Sequence, residues 1–207
     1  MKLFTPLQRG ELTLQNRVVM APMTRSRAPR NLPNSLMASY YGQRAAAGLI
    51  ITEGTSPSPN GLGYARIPGV FSQEQCEGWR LASDAVHRGG AQLFVQLMHC
   101  GRVGSRLNLP PGARLLAPSA VAMSGVIWTD SQAEQPYDLP EEMTLEDIRS
   151  TIAEYAAAAR TARLAGCDGI EVHGANGYLI NQFLDPGSNR RNRSEERRVG
   201  KECRSRW

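Results

Sequence analysis

Short apolar runs alternate with helix-patterned segments along nearly the whole chain, and this alternation predicts β/α units around a parallel sheet. Residues 17–20 read as a first strand closed by Ala21-Pro22, while residues 3–7 and 11–14 read as a hairpin turning at residues 8–10. Helical character follows over 34–47, with Asn34 as N-cap and Gly48 as the stop, and then a second strand over 49–52. Ser72 or Gln73 opens a helix that runs through Trp79, Leu81, Ala82 and Val86 and ends at Gly89-Gly90. Residues 93–97 are mostly apolar, as strands buried on both faces are. Thr144, with Glu146 and Asp147, caps a long helix over 145–165 in which Ile148, Ile152, Tyr155, Ala159 and Ala162 follow helical spacing. Gly166 ends it, residues 169–172 form a fourth strand, and a further helix is expected to start near Asn176.

Four such units are half the number that closes the commonest parallel barrel, which typically runs to about 250 residues. The expected fold class is therefore α/β, a partial (β/α)8 TIM barrel of about four units behind an N-terminal β-hairpin. A doubly wound open sheet is the structural alternative. It lacks its phosphate-loop fingerprint here, since Gly61-Leu62-Gly63 has no third glycine and reads as a turn. Between residues 98 and 143 the composition shifts to Pro, Gly, Ser and Asn, a long loop of the kind that is usually functional.

In parallel β/α proteins the chemistry gathers where strands hand over to the following loops. Here those places are Pro22-Met23-Thr24, Glu53-Gly54-Thr55, Gln96-Leu97-Met98-His99 and His173-Gly174-Ala175-Asn176-Gly177-Tyr178. Backbone amides, a Thr hydroxyl, a Gln amide and a close-approach glycine suit a flat, hydrogen-bonding heterocycle. His99 and His173 lie on different strands with no carboxylate at metal-site spacing, so no metal is expected. His173 and Asn176 can hydrogen-bond a substrate oxygen, and Tyr178 can give up a phenolic proton.

Composition narrows the class further. Of the 24 Lys and Arg and the 19 acidic side chains, six and three lie within residues 193–207, so 18 cations face 16 anions in the rest. No basic stripe is interleaved with aromatics, which argues against a nucleic-acid partner. Cys76, Cys100, Cys167 and Cys203 show no CxxC spacing and read as cytosolic thiols. The N-terminus lacks an apolar signal core and no run approaches a membrane span, so the expectation is a cytoplasmic protein with no membrane partner. Oligomeric state is not legible.

Four motifs in order carry a resemblance: Asn16-Arg17-Val18-Val19-Met20-Ala21-Pro22-Met23-Thr24-Arg25, Thr52-Glu53-Gly54-Thr55, Val95-Gln96-Leu97, and His173-Gly174-Ala175-Asn176-Gly177-Tyr178 continuing to Leu184. Together they resemble the N-terminal half of the Old Yellow Enzyme family of FMN-dependent NAD(P)H oxidoreductases, or ene-reductases. The resemblance implies that Pro22, Met23 and Thr24 line the flavin, with the Thr24 hydroxyl on isoalloxazine O4 tuning its electronics. It further implies that Gly54 lets the ring approach and that Gln96 bonds the pyrimidine edge. NADPH or NADH would reduce the FMN and leave, and a small enone-type substrate would replace it. His173 and Asn176 would bind its carbonyl oxygen and stabilise the developing enolate, hydride would pass from flavin N5 to the β-carbon, and Tyr178 would protonate the α-carbon. Tyr64 is implied as a substrate-pocket aromatic. Met98 departs from the family, many of whose members carry Trp there, which would alter substrate orientation. His99 and Arg102 are assigned to the loop.

The resemblance also implies a later Arg near flavin N1 and O2 and later phosphate-holding loops, which this sequence does not include. Residues 1–192 are accordingly expected to be a truncated N-terminal half of an FMN-binding TIM barrel. The alternative to ene-reductase activity is a non-catalytic fragment unable to retain FMN. A third reading is a natural half-barrel that dimerises into a ring, which would require the basic tail to be genuine. Residues 193–207 (RSEERRVGKECRSRW) resemble the translation of a sequencing-library adapter, and are expected to be a non-native, disordered tail.

Overall fold

Apolar strands must be covered, and the chain covers one face of its parallel sheet with helical crossovers. The computed structural model describes residues 1–191; the run 193–207 lies outside the described residues. In chain order the elements are β1 (Leu7–Arg9), β2 (Leu12–Leu14), β3 (Val19–Met20), α1 (Ser35–Gly42), β4 (Leu49–Ile51), α2 (Gln73–Arg88), β5 (Gln92–Leu97), β6 (Leu116–Ala117), β7 (Val126–Thr129), β8 (Ala133–Pro136), β9 (Glu141–Glu142), α3 (Leu145–Leu164), β10 (Gly169–Val172) and α4 (Leu179–Leu184). They divide between two compact units. The first holds residues 1–58, 66–97 and 153–172, and the second holds 59–65, 98–152 and the residues from His173 onward.

The first unit is built on a four-stranded, all-parallel sheet in the order β10-β5-β4-β3. Its register sets Val19 against Leu49, Ile50 against Leu93, and Val95 against Ile170. Ile50, Leu93 and Val95 are fully buried with Trp79, Ala82 and Val86 of α2 and with Ala158 and Ala162 of α3. Ser72 starts α2 with a complete capping box, accepting from the Gln75 N–H while the Gln75 side chain accepts from Ser72. The Trp79 indole donates to the Gly69 carbonyl at 3.0 Å, so the largest core side chain leaves no polar atom unpaired.

Several boundaries differ from expectation, each for a local reason. The hairpin pairs Leu7 with Leu14 and Arg9 with Leu12, so it turns at Gly10-Glu11; Gly10 supplies the left-handed φ of +57°. Residues 2–4, expected as strand, form a 3-10 turn. The first parallel strand is confined to two residues because the Asn16 side chain accepts the Val18 N–H. The helix expected to reach residue 47 stops at Gly42, where the Arg44, Ala45 and Ala47 N–H groups turn to carbonyls three residues back; Gln15 Nε2 and Asn16 Nδ2 bind the carbonyls of Ala45, Ala47 and Ala46 that follow. In α2, Leu81 is 51% exposed, while Trp79, Ala82 and Val86 face inward. In α3 the buried stripe is Thr151, Ala158, Ala162 and Ala165, and Ile152 lies outside it at 66% exposure. The expected Tyr155, Ala159 and Ala162 do pack against the first core and Ile148 against the second, so Ile152 alone departs from the expected face.

The second unit has its own small core of Leu116, Met143 and Leu179, with Ile148 and Phe183 against it. Residues 98–143 hold more order than a loop. β7 and β8 form an antiparallel hairpin, and β6 pairs with β9 in parallel. At the start of α3, Thr144 and Asp147 satisfy each other: the Asp147 N–H donates to Thr144 Oγ1 and the Thr144 N–H to Asp147 Oδ2. That reciprocal cap falls to Asp147, not Glu146.

Two predictions follow from the first unit's packing. Glycine to alanine within a helix ordinarily stabilises by about 0.5–1 kcal/mol, but a Cβ on Gly78 would lie 2.3 Å from the Pro33 carbonyl oxygen. Gly78→Ala is expected to destabilise by about 1–3 kcal/mol, whereas Gly42→Ala, whose Cβ would meet Ala85 Cβ at 3.3 Å, should cost less. Thermal unfolding of both variants gives the order, and a stabilised Gly78→Ala would contradict the packing. The second concerns Glu53, buried beyond β4, which accepts from the Tyr41 hydroxyl at 3.2 Å and from the Arg25 N–H at 3.1 Å. Burial raises its carboxyl above the usual range against the opposing hydrogen bonds. The folded state thus holds this proton more tightly than the unfolded chain, so the contribution is greatest at acid pH and is lost as pH rises from the ordinary carboxylate range through the raised value. Urea midpoints measured against pH should show wild type losing ground to Glu53→Gln over that window; parallel curves would refute it.

Candidate functional site

The residues expected to touch a flavin all lie in the first unit. Pro22, Met23 and Thr24 follow β3 in an extended segment, Pro22 half-buried, Met23 43% exposed and Thr24 exposed. Two contacts fix that segment's far end: the Arg25 N–H donates to Glu53 Oε2, and the Ala28 N–H donates to the Arg66 carbonyl at 3.0 Å. Gly54 is buried. Gln96 is buried on β5, and its Nε2 donates to Glu171 Oε1 at 2.7 Å. This contact fixes the orientation of the amide and leaves its carbonyl oxygen as an acceptor.

Sequence reasoning missed Glu171 and the anchoring part of Glu53. A signal for the first was present, since Glu171 and Gln96 are cross-strand partners in the parallel register. Polar residues at matching positions of two apolar strands belong to one face. Glu53 carried no such signal, because its partners come from α1 and from the segment after β3.

Tyr64, His173, Asn176 and Tyr178 all lie in the second unit. The chain leaves β10 and turns through Asn176 and Gly177, both left-handed at φ +57° and +78°, before α4 begins. The helix expected from Asn176 therefore starts only at Leu179, because two successive left-handed residues cannot belong to a right-handed turn. The loop is clamped from behind. Gly177 N–H donates to Asn181 Oδ1 at 2.8 Å, and Gln182 Nε2 donates to the carbonyls of Gly177 and Cys100 at 2.7 and 3.0 Å. Gln182 Oε1 accepts from the Arg102 N–H, and the Leu179 N–H reaches the His99 carbonyl. A Cβ at Gly101 would sit 2.1 Å from Gln182 Oε1, so this glycine leaves room for the clamp.

Within this loop the His173 and Tyr178 rings meet edge to face, with centroids 4.9 Å apart. His173 Nδ1 accepts the Ala175 N–H at 3.3 Å, which assigns the proton of the neutral ring to Nε2. Asn176 is exposed. The Tyr178 hydroxyl lies 3.1 Å from that of Tyr64, whose ring stands at 80° to it. Partial burial raises both phenols above their ordinary value, so both are protonated at neutral pH.

His99 is fully buried, and desolvation pushes its pKa down to about 3, so the ring is neutral. Its Nδ1 accepts the Gly101 N–H. Burial likewise pushes the Cys100 thiol up to about 12, which makes it an inert packing group. Met98 is buried at 2% exposure. Among the described residues no cluster of three or more His, Cys, Asp or Glu could hold a metal ion, and no helix is long and apolar enough to cross a membrane.

The chain is similar to known proteins in sequence and in fold. The profile of the NADH:flavin oxidoreductase / NADH oxidase family matches residues 2–202, which takes in ten residues of the run expected to be foreign. A Leishmania infantum protein described as "Probable flavin mononucleotide-dependent alkene reductase" is 46% identical over 191 residues, covering 90% of this chain and 52% of its own. An Old Yellow Enzyme homologue from Zymomonas mobilis superposes with a TM-score of 0.87 at 42% identity, over 93% of this chain and 54% of the other. Morphinone reductase in complex with tetrahydroNAD superposes with a TM-score of 0.86 at 44% identity, again over 93% and 54%. The chain spans about half the length of the relatives it matches, and its sheet and helices form part of an α/β barrel. It belongs to the NADH:flavin oxidoreductase / NADH oxidase family and corresponds to the N-terminal region of the Old Yellow Enzymes.

Proposed function

We propose that this chain supplies the substrate-holding and proton-donating residues of an FMN-dependent NAD(P)H oxidoreductase that reduces the C=C bond of α,β-unsaturated carbonyl compounds. The observation that carries the reading is the clamped loop in which His173, Asn176 and Tyr178 occur within six residues, the tyrosine protonated and edge-on to the histidine. Family membership and the alkene reductase among the relatives support it.

The first unit's residues fit a flavin ring. Thr24 offers a hydroxyl, Gln96 an amide fixed by Glu171, and Gly54 a backbone without a side chain. These are uncharged hydrogen-bonding groups suited to an uncharged heterocycle. Bound FMN would supply the hydride equivalent, drawn from NADPH or NADH. His173, through its Nε2–H, and Asn176, through its amide, would hold the carbonyl oxygen of the substrate and stabilise the charge that develops there. Tyr178, kept neutral by burial, would donate its proton to the α-carbon.

The half-length of the chain favours a second reading, in which this polypeptide is a non-catalytic fragment and the activity belongs to a longer protein. The two separate in one experiment. The 207-residue chain is purified with added FMN, and its visible spectrum is followed as NADPH and then an enone such as cyclohexenone are added. A shifted flavin band that NADPH bleaches and the enone restores supports the oxidoreductase reading; flavin-free protein supports the fragment.

In the flavin-loaded protein, Tyr178→Phe is expected to slow enone reduction by about 10²–10⁴-fold while leaving bleaching by NADPH intact. His173→Ala with Asn176→Ala should instead weaken enone binding. Stopped-flow traces of the two half-reactions read both effects. Equal enone rates in wild type and Tyr178→Phe would remove the tyrosine from its role.

A further inference from the structure

We propose that Tyr64 is a positioning residue for proton transfer: its hydroxyl donates to the Tyr178 oxygen, aims the Tyr178 proton toward the substrate, and holds the phenolate that remains. The proposal rests on the oxidoreductase reading for its consequence but not for its geometry.

Three observations carry it. First, the two hydroxyl oxygens are 3.1 Å apart, and the near-perpendicular rings bring them together edge on. Geometry allows either oxygen to donate. A Tyr178 proton committed to Tyr64 could not be given to a substrate, so the productive arrangement has Tyr64 as donor and Tyr178 as acceptor.

Second, both residues are held from their backbones. Gly63 is wedged so tightly that a Cβ would lie 2.2 Å from the Val103 carbonyl oxygen, and Asn108 Nδ2 donates to the Gly63 carbonyl at 3.0 Å. The Cys100 N–H donates to the Gly61 carbonyl at 2.9 Å. On the other side, the Tyr178 N–H reaches the Ala175 carbonyl, and its own carbonyl accepts from the Gln182 N–H. The hydroxyl pair thus joins two rigid supports within one unit.

Third, the described neighbours that act on the pair are few. Among the described residues, the titratable groups that act on the pair are Cys100 and Tyr137, and the His173 ring stands edge to face with Tyr178. Burial raises both phenols, so both reach the step protonated, and a phenolate formed at Tyr178 has the Tyr64 hydroxyl within hydrogen-bond reach. In the step itself the α-carbon to hydrogen bond forms from the enolate electron pair as the Tyr178 O–H bond breaks. The oxygen keeps the bonding pair as phenolate, accepts the Tyr64 O–H, and later regains a proton from water.

The test uses Tyr64→Phe, which removes one hydroxyl and keeps the ring. A flavin-independent readout comes from 3,5-difluorotyrosine placed at position 178, whose phenol ionises nearer neutral pH and whose 19F resonance reports that ionisation. Without the Tyr64 hydroxyl, its acid dissociation constant should fall by about tenfold or more. In the flavin-loaded protein the same variant should lower kcat for the enone half-reaction by about tenfold, enlarge the solvent deuterium isotope effect, and leave KM unchanged.

An unmoved 19F titration would overturn the proposal. So would a variant whose loss lies wholly in KM, since that marks Tyr64 as a wall of the substrate pocket and nothing more. If the chain does not retain FMN, the oxidoreductase reading fails while the 19F titration still decides for or against the tyrosine pair.

Discussion

Parallel pairing is the constraint from which the rest follows. Two strands that run the same way cannot be joined by a tight turn, so the chain must cross back between them every time. In the first unit this happens three times, from β3 to β4, to β5 and to β10, with sheet order matching chain order throughout. Every strand therefore ends on the same side of the sheet, and the residues that follow each of them leave in the same direction. Within the first unit, the runs that begin at Ala21 and Thr52 are departures of this kind. Helices α2 and α3 are shaped by the same demand. Their buried stripes of Trp79, Ala82 and Val86, and of Ala158 and Ala162, seal a sheet that has apolar residues on the face they cover.

Side-chain amides decide what hydrophobic pattern leaves open. Gln15 and Asn16 take the carbonyls of residues 45–47 and of Gly89 and so fix the turns that follow α1. Gln182 does the same for the second unit, donating to two carbonyls and accepting one N–H. Apart from the local contact of Gln182 with Gly177, these join residues distant in the chain, 30 positions apart for Gln15 with Ala45 and 82 for Gln182 with Cys100. This explains which parts of the fold are legible in the sequence. The four parallel strands and the capped starts of α1, α2 and α3 are read from local signals: apolar runs, Asn34, Ser72 and Thr144. The turns after α1, the hairpin turn and the late start of α4 depend on tertiary hydrogen bonds or on backbone φ, which no periodicity encodes.

The candidate site divides in the same way. His173, Asn176 and Tyr178 stand together in the chain directly after a strand, so their adjacency is visible without a structure. Tyr64 lies 114 positions from Tyr178 and enters only through family resemblance. The residues that orient the others, Glu53, Glu171, Asn181 and Gln182, look unremarkable in sequence because their work is done by one or two hydrogen bonds to partners elsewhere. A polar residue buried in an apolar environment must find such partners, and burial itself is a property of the fold.

The Asn176–Gly177 pair has a consequence for the chemical lifetime of the protein. Asparagine followed by glycine is the dipeptide most prone to close into a succinimide, when the glycine nitrogen attacks the asparagine side-chain carbonyl. Opening of that ring leaves aspartate or isoaspartate, a negative charge in place of an amide. In this loop the attacking nitrogen is occupied, because the Gly177 N–H is bound to Asn181 Oδ1 at 2.8 Å and the Gly177 carbonyl is bound to Gln182. The clamp that shapes the loop therefore also slows its ageing, and a molecule that lost the Asn181 contact would with time acquire a carboxylate in place of the Asn176 amide.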